Sequence, residues 1–108
     1  MQFYGLKTCD TCRKAVSALR AAGQVPEIYD VRGDGVPPAV LEAALTRFGA
    51  PMVNRRSTTW RDLSEAERQE EAATLLSRYP ALMKRPLIVD GDDMTLGWDA
   101  AAQAKWLG

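Results

Sequence analysis

The sequence predicts a single α/β domain with a mixed sheet of about four strands and a helical insertion between strands 2 and 3. Two observations support this prediction. The predicted elements run in the order β-α-β, a helical block, then β-β-α, and two cysteines spaced CxxC lie at the first strand-to-helix junction. A β-α-β unit requires a parallel strand pair, whereas a hairpin is antiparallel. A CxxC pair beside such a unit is typical of the thioredoxin-like (glutaredoxin-like) fold.

Apolar patterning predicts the first β-α-β unit. Residues 1–6 are largely apolar and are expected to form a short buried strand. Residues 11–23 are expected to form a helix, because apolar residues recur at helical spacing and Gly23 supplies a stop. Residues 25–31 are expected to form the second strand, and residues 32–35 the loop that follows.

The middle of the chain is predicted to be helical. Pro37-Pro38 opens a helix with an apolar stripe, which ends at Gly49. Ser64 and Glu67 have the spacing of a capping box, so a second helix is expected to begin there and to continue to about Arg78.

The last third of the chain predicts a hairpin and a closing helix. Residues 87–90 and 94–98 read as two strands joined by a three-residue loop, Gly91-Asp92-Asp93. Asp99 is expected to cap a helix that runs through Leu107. The whole chain, residues 1–108, is expected to form one domain.

Composition excludes several classes of function. The formal net charge is zero, which gives no support for direct nucleic-acid or membrane binding. No apolar run approaches the roughly 20 residues of a membrane helix, and no signal peptide is visible, so a cytoplasmic location is expected. The chain has no histidine and only two cysteines. Metal binding and histidine-dependent nucleophilic catalysis are therefore not expected.

The two cysteines carry the main chemical signal. Cys9 precedes a predicted helix, and the N-terminus of a helix stabilises a thiolate. Arg13 adds positive charge to the first turn, while Thr11 lies between the cysteines. A reactive Cys9 is therefore favoured over a buried cysteine that acts only as a small hydrophobic residue. Cys12 is favoured as the thiol that resolves a mixed disulfide, with a regulatory or inert Cys12 as the alternative.

Five short motifs resemble a known family. They are Tyr4-Gly5, Cys9-Asp10-Thr11-Cys12-Arg13-Lys14-Ala15, Arg56-Ser57-Thr58-Thr59-Trp60, Arg85-Pro86-Leu87 and Gly97-Trp98. In this order they resemble the ArsC/Spx/YffB family, and the resemblance covers essentially the whole chain. The family includes glutaredoxin-dependent arsenate reductases, YffB-like reductases and the Spx transcriptional regulators.

The resemblance implies roles for individual residues. Cys9 matches the family's nucleophilic cysteine, and Arg56 matches an arginine of its oxyanion pocket. Arg85 matches the arginine before a proline that the family holds in cis beside the cysteine loop, which is Pro86 here. Without the resemblance, both arginines could equally form surface salt bridges.

Two departures from the family pattern count against arsenate as the substrate. Arsenate reductases carry a further arginine after the last strand, where this chain has Trp98. Their cysteine loop continues with small hydroxyl residues, where this chain has Cys12.

These observations predict a cytoplasmic thiol-dependent reductase with no bound cofactor. Cys9 would attack an oxidised substrate, Arg56, Arg85 and Arg13 would hold the anion or glutathione, and Cys12, glutathione or glutaredoxin would resolve the adduct. The resemblance suggests arsenate or another oxyanion as substrate, and a glutathione mixed disulfide is the alternative. The rival hypothesis is an Spx-like regulator that binds the RNA polymerase α-subunit and is switched by a Cys9–Cys12 disulfide. A catalytically inactive thioredoxin-like module is the third.

Overall fold

The computed structural model describes residues 1–108, which form two compact units. The sheet unit consists of residues 1–34 and 85–108, and the helical unit consists of residues 35–84. The expectation of one domain over residues 1–108 stays a prediction. None of the helices is long and apolar enough to span a lipid bilayer.

The chain contains four β-strands and six α-helices. In chain order they are β1 (Gln2–Gly5), α1 (Asp10–Ala21), β2 (Glu27–Asp30), α2 (Pro38–Phe48), α3 (Thr58–Arg61), α4 (Glu65–Arg68), α5 (Ala72–Arg78), β3 (Leu87–Asp90), β4 (Asp93–Leu96) and α6 (Ala100–Leu107). Short 3₁₀ helices cover Ala50–Met52 and Pro80–Leu82. Four helices therefore separate strands 2 and 3, which confirms the predicted helical insertion.

The sheet is mixed, as predicted. Its strand order is β2-β1-β3-β4. Strands β1 and β2 are parallel, and the β1–β3 and β3–β4 pairs are antiparallel. Leu87, Ile88 and Val89 are all buried, although successive side chains of a strand point to opposite faces. A continuous apolar run is what a strand buried on both faces requires.

One face of the sheet packs against α1 and α6. The buried cluster there consists of Phe3, Cys12, Ala15, Leu19, Ile88 and Trp106. The indole N–H of Trp106 has a hydrogen-bond partner, because Trp106 Nε1 donates to Thr95 Oγ1 at 2.6 Å. Asp99 caps α6 as predicted, with its side chain accepting from the Ala102 N–H at 2.9 Å. This cluster fixes α1, and with it the cysteine pair, against the sheet.

The hairpin loop is shorter than predicted. Asp93 pairs with Asp90, so the turn contains only Gly91 and Asp92, and the expectation of a three-residue loop is wrong. Gly91 has a φ of 61°, the left-handed conformation that a type II′ hairpin turn requires at its first central position. A two-residue turn of this kind matches the twist of the strands, so Asp93 can pair with Asp90 as the first residue of β4.

The predicted helix from Ser64 to Arg78 is wrong in its length. Its start is confirmed: Ser64 Oγ accepts from the Glu67 N–H at 3.1 Å, and Glu67 Oε1 accepts from the Ser64 N–H at 3.0 Å. The helix stops after Arg68, and α5 begins at Ala72. Side chains link the segments across the break, because Tyr79 donates to Glu67 and Arg78 donates to Glu70.

The helical unit also contains a predicted helix, a second helix with a local cap, and a bridge between two distant residues. Helix α2 spans the predicted region, and α3 is capped by Ser57, whose Oγ accepts from the Trp60 N–H at 3.1 Å. Val53 and Met83 form an antiparallel bridge. Such pairing joins residues far apart in the chain, so periodicity within one segment does not predict it.

Candidate active site

Cys9 lies at the junction between β1 and α1. Its φ and ψ of −89° and 119° are extended, which makes it the residue that precedes the first turn of α1. The Cys9 N–H donates to the Leu6 carbonyl at 3.1 Å, and the Arg13 N–H donates to the Cys9 carbonyl at 3.0 Å. The Cys9 side chain is half-buried. The turn thus places a partly accessible sulfur at the N-terminus of a helix, where negative charge is stabilised.

Cys12 occupies a different environment one helical turn later. Only 3% of its surface is exposed, and it belongs to the buried cluster beneath α1. Both cysteines are free thiols in this structure.

Gly5 makes room for the Cys12 sulfur. A Cβ atom at Gly5 would lie 2.7 Å from Cys12 Sγ and 2.9 Å from a ring carbon of Phe3, closer than side-chain carbons approach such atoms. Gly5 belongs to the Tyr4-Gly5 motif, but this packing role is not predicted from the sequence. A glycine inside a predicted strand is itself a signal of close approach.

The surroundings of Cys9 lower the pKa of its thiol. Burial raises this pKa, but the Cys12 backbone N–H, the Cys12 thiol and the Arg85 guanidinium together outweigh burial. The Cys9 side chain makes no capping hydrogen bond of regular geometry. The lowered pKa therefore depends on several donors near the sulfur and on the positive charge of Arg85.

The surroundings of Cys12 act in the opposite direction. Burial is the largest effect, and together with the neighbouring Cys9 sulfur it raises the pKa of the Cys12 thiol to about 11. The Leu6 backbone and Arg85 lower this pKa without compensating for burial. The pair is therefore unequal: Cys9 ionises at a lower pH than an ordinary cysteine, whereas Cys12 stays protonated at neutral pH.

Arg85 and Pro86 lie with the cysteines in the sheet unit. The Arg85–Pro86 peptide bond is cis, as the family resemblance implies. Pro86 is fully buried, and its carbonyl accepts from the Gly97 N–H at 2.9 Å. Arg85 is half-buried and interacts with the Cys9 sulfur through both its donors and its charge. Of the predicted site residues, the structure brings together Cys9, Cys12, Arg85 and Pro86.

The other predicted site residues are placed differently. Arg13 is exposed and forms an ion pair with Asp10, which offsets the negative charge beside Cys9. Thr11 is exposed in the first turn of α1. Arg56 is an exposed residue of the helical unit, and its backbone N–H donates to Asn54 Oδ1 at 3.1 Å. Roles for Arg13, Thr11 and Arg56 in the chemistry stay predictions.

Trp98 fills the region where arsenate reductases carry a further arginine. It is half-buried and packs against the same buried cluster that Cys9 borders. This position therefore contributes apolar packing rather than positive charge. No group of three or more cysteine, aspartate or glutamate side chains is arranged to hold a metal ion.

Comparison with known proteins gives a consistent result. The model of the ArsC family matches residues 4–105. An uncharacterized protein of Haemophilus influenzae is 37% identical over 101 residues, which cover 89% of each chain.

Two solved structures are similar along nearly the whole chain. The YFFB protein has a TM-score of 0.90 at 28% identity, over 99% of this chain and 98% of that one. An arsenate reductase (ArsC) related protein from Brucella melitensis has a TM-score of 0.71 at 29% identity, over 96% of this chain and 90% of that one. With the cysteine loop, the cis-proline and the mixed sheet in place, this chain belongs to the ArsC family.

Proposed function

We propose that this protein is a thiol-dependent reductase in which Cys9 is the nucleophile. The observation that carries the proposal is the contrast within the CxxC pair. The pKa of Cys9 is lowered beside Arg85, whereas that of Cys12 is raised to about 11 in the buried cluster. The thiolate is the reactive form of cysteine, so these surroundings favour Cys9 over Cys12 as the attacking thiol.

In the first step, the Cys9 thiolate attacks the glutathione sulfur of a glutathione mixed disulfide. A new bond forms between Cys9 and glutathione, and the substrate leaves as a thiolate that takes a proton from solvent. Thiol exchange of this kind is fast when the attacking thiol ionises near ambient pH. Arg85 stabilises the charge on Cys9 before the attack.

In the second step, the disulfide between Cys9 and glutathione is broken by a further thiol. Cys12 would attack the Cys9 sulfur and release glutathione as a thiol, leaving a Cys9–Cys12 disulfide that two external thiols then reduce. A second glutathione would instead attack the glutathione sulfur, which forms oxidised glutathione and releases Cys9 as a thiolate. Part of the rise in the Cys12 pKa comes from the Cys9 sulfur. That part disappears once Cys9 carries glutathione, which favours deprotonation of Cys12 at this stage of the reaction.

A glutathione mixed disulfide is favoured over arsenate as the substrate. Stabilising a tetrahedral oxyanion calls for several fixed cationic donors. In the sheet unit Arg85 lies beside Cys9, while Trp98 packs on the apolar cluster in the region of the family's third arginine. Arsenate or another oxyanion remains the second substrate class, with Arg56 as an additional ligand. Glutathione or glutaredoxin is the proposed electron donor, and the reducing cytoplasm is the proposed location.

The Spx-like regulator is a second proposal, favoured by the burial of Cys12. Because Cys12 packs within the apolar cluster, forming a Cys9–Cys12 disulfide would disturb that packing and could signal oxidation. The partner in this case would be the RNA polymerase α-subunit. Retention of the purified α-subunit by the oxidised or the reduced protein, together with absence of reductase turnover, would favour the regulator.

The reductase proposal is tested by turnover of a glutathione mixed disulfide of a small thiol. Wild-type protein is expected to reduce it with glutathione as donor, and Cys9→Ser is expected to reduce the rate at least a thousandfold. Cys12→Ser serves as the matched control, because it removes the second thiol and leaves Cys9 in place. An unchanged rate for Cys9→Ser would exclude Cys9 as the nucleophile.

A further inference from the structure

A groove lies in the sheet unit between α1 and β2, and neither Arg85 nor Pro86 lines it. Its volume is about 740 Å³, in the range of small-molecule sites. The floor is apolar and includes Gly5, Val16 and Ile28. Ile28 is 41% exposed, so the floor leaves an apolar side chain for a ligand to cover. Apart from Cys12 and Arg13, no residue that lines this groove has a role in the reaction proposed above.

Two unpaired cations border the groove. Lys7 and Arg20 both line it, and neither forms a salt bridge. The other lining cation, Arg13, is bound to Asp10. The groove therefore has positive charge at two separate places; Lys7 also acts on Asp30, whose pKa it helps to lower, whereas Arg20 forms no salt bridge.

The acidic residues of the groove are largely satisfied by backbone donors. Asp30 Oδ1 accepts from the Arg32 and Gly33 N–H groups, at 2.8 and 3.1 Å. Asp34 Oδ2 accepts from the Asp30 N–H at 2.8 Å. These hydrogen bonds occupy these carboxylate oxygens and leave their negative charge, so anionic groups of a ligand would be attracted to Lys7 and Arg20 and repelled by Asp30 and Asp34.

The same contacts close the outer edge of β2. The Asp34 N–H also donates to the Asp30 carbonyl at 2.8 Å, so both outward backbone groups of Asp30 are occupied. A parallel strand exposes only alternate residues to its outer side, which leaves Ile28 as the one free position. An extended polypeptide could not add to this sheet as a strand, because such addition needs a row of free backbone groups.

The length of the groove fits a short peptide. Cys12 and Arg20 both line it and lie eight residues apart on α1, which corresponds to about 12 Å along the helix axis. An extended tripeptide spans about 10–11 Å. Gly5 and Cys12 both line the groove, so one part of it lies beside the second cysteine.

We propose that this groove binds a short peptide thiol with a carboxylate at each end, of the glutathione class. Lys7 and Arg20 bind the two carboxylates, and the apolar floor accepts the middle of the peptide. This proposal rests on the proposed thiol reductase function, since it places the reducing thiol on the Cys12 side of the pair.

Titration with S-methylglutathione tests the groove, because this probe binds without exchanging disulfides. Amide shifts of the reduced full-length protein are expected at Lys7, Val16, Arg20 and Ile28. Lys7→Gln and Arg20→Gln are each expected to weaken binding about tenfold, the effect of losing one charge-assisted hydrogen bond. Ser17→Glu, which places an anion on the groove wall, is expected to weaken it as well. Lys14→Gln is the matched control, since Lys14 is exposed on α1 outside the groove.

Several results would overturn the proposal. Absence of binding at millimolar probe, shifts confined to Cys9 and Arg85, or equal affinities of Arg20→Gln and Lys14→Gln would each contradict it. Groove shifts that depend on protein concentration alone would assign the groove to a second copy of the chain. Because the nucleophile is tested separately by Cys9→Ser turnover, these results leave the reductase proposal standing.

Discussion

The two cysteines lie one helical turn apart, yet their surroundings oppose each other. Cys9 is half-buried at the start of α1, where N–H and S–H donors and Arg85 lower its pKa. Cys12 is 3% exposed in the apolar cluster, where burial raises its pKa to about 11. The two thiols of this CxxC pair are therefore not equivalent: the fold lowers the pKa of Cys9 and raises that of Cys12, which supports the proposal that Cys9 is the nucleophile.

The largest expected difference between the two thiols is in glutathionylation. In Cys12→Ser protein, oxidised glutathione is expected to modify Cys9 readily at pH 7. In Cys9→Ser protein, Cys12 is expected to react at least a hundredfold more slowly, because it is buried and mostly protonated. Intact-mass spectrometry over time measures both rates. Equal rates of glutathionylation in the two variants would contradict the expected difference in reactivity between Cys9 and Cys12.

Gly5→Ala tests the packing of Cys12. The added Cβ would lie 2.7 Å from Cys12 Sγ, so we expect a loss of about 1–3 kcal/mol in the free energy of unfolding. Chemical denaturation measures this loss. In the Cys12→Ala background the penalty is expected to shrink, because the sulfur is absent, although contact with Phe3 remains.

Gly33→Ala is the matched control for Gly5→Ala. A Cβ at Gly33 would meet its nearest neighbour, Asp30, only at 4.0 Å. If Gly5→Ala were as stable as Gly33→Ala, the result would contradict the close packing of Cys12 against Gly5.

Arg85→Gln tests the electrostatic support of Cys9. Removing the guanidinium is expected to raise the pKa of Cys9 and to slow its alkylation at pH 7, because a smaller fraction of the thiol is then ionised. Arg85→Lys is expected to restore part of the rate, because the charge returns without the planar donors. Arg32→Gln, an exposed arginine of the sheet unit, is the control. A pH–rate profile for Arg85→Gln identical to wild type would exclude Arg85 as the cause.

A further expected effect is on the pH dependence of stability. The pKa of Cys12 is raised from 9.0 to about 11, so the folded state holds the proton more tightly than the unfolded chain. This contribution is fully present below about pH 9 and is lost as pH rises through about 11. We therefore expect wild type to lose about 1–3 kcal/mol more than Cys12→Ala between pH 8 and 11. If the free energies of unfolding of wild type and Cys12→Ala fell in parallel between pH 8 and 11, burial would not be holding Cys12 protonated.

Much of the site was predictable because local rules specify it. The spacing of Cys9 and Cys12 beside an apolar strand predicted a helix start at the sulfur, and α1 begins at Asp10. The capping box at Ser64 and the cap at Asp99 were predictable for the same reason. Each of these features depends on residues within one turn of one another.

What the sequence did not reveal depends on contacts between distant residues. The break between α4 and α5 is linked by the Tyr79–Glu67 and Arg78–Glu70 contacts, although the residues in the break favour helix. The burial of Cys12 depends on space that Gly5 leaves on a different element. Helical periodicity within one segment carries no information about such pairings.

Site-resolved alkylation of the reduced wild-type protein tests the central claim most directly. Iodoacetamide labelling from pH 5 to 11, read by peptide mass spectrometry, gives a separate pH–rate profile for each cysteine. We expect Cys9 to label with a midpoint below 9.0, and Cys12 to remain nearly unlabelled until the pH approaches 11. Labelling of Cys12 at neutral pH as fast as Cys9, or a Cys9 midpoint at or above 9.0, would contradict the assignment of Cys9 as the nucleophile.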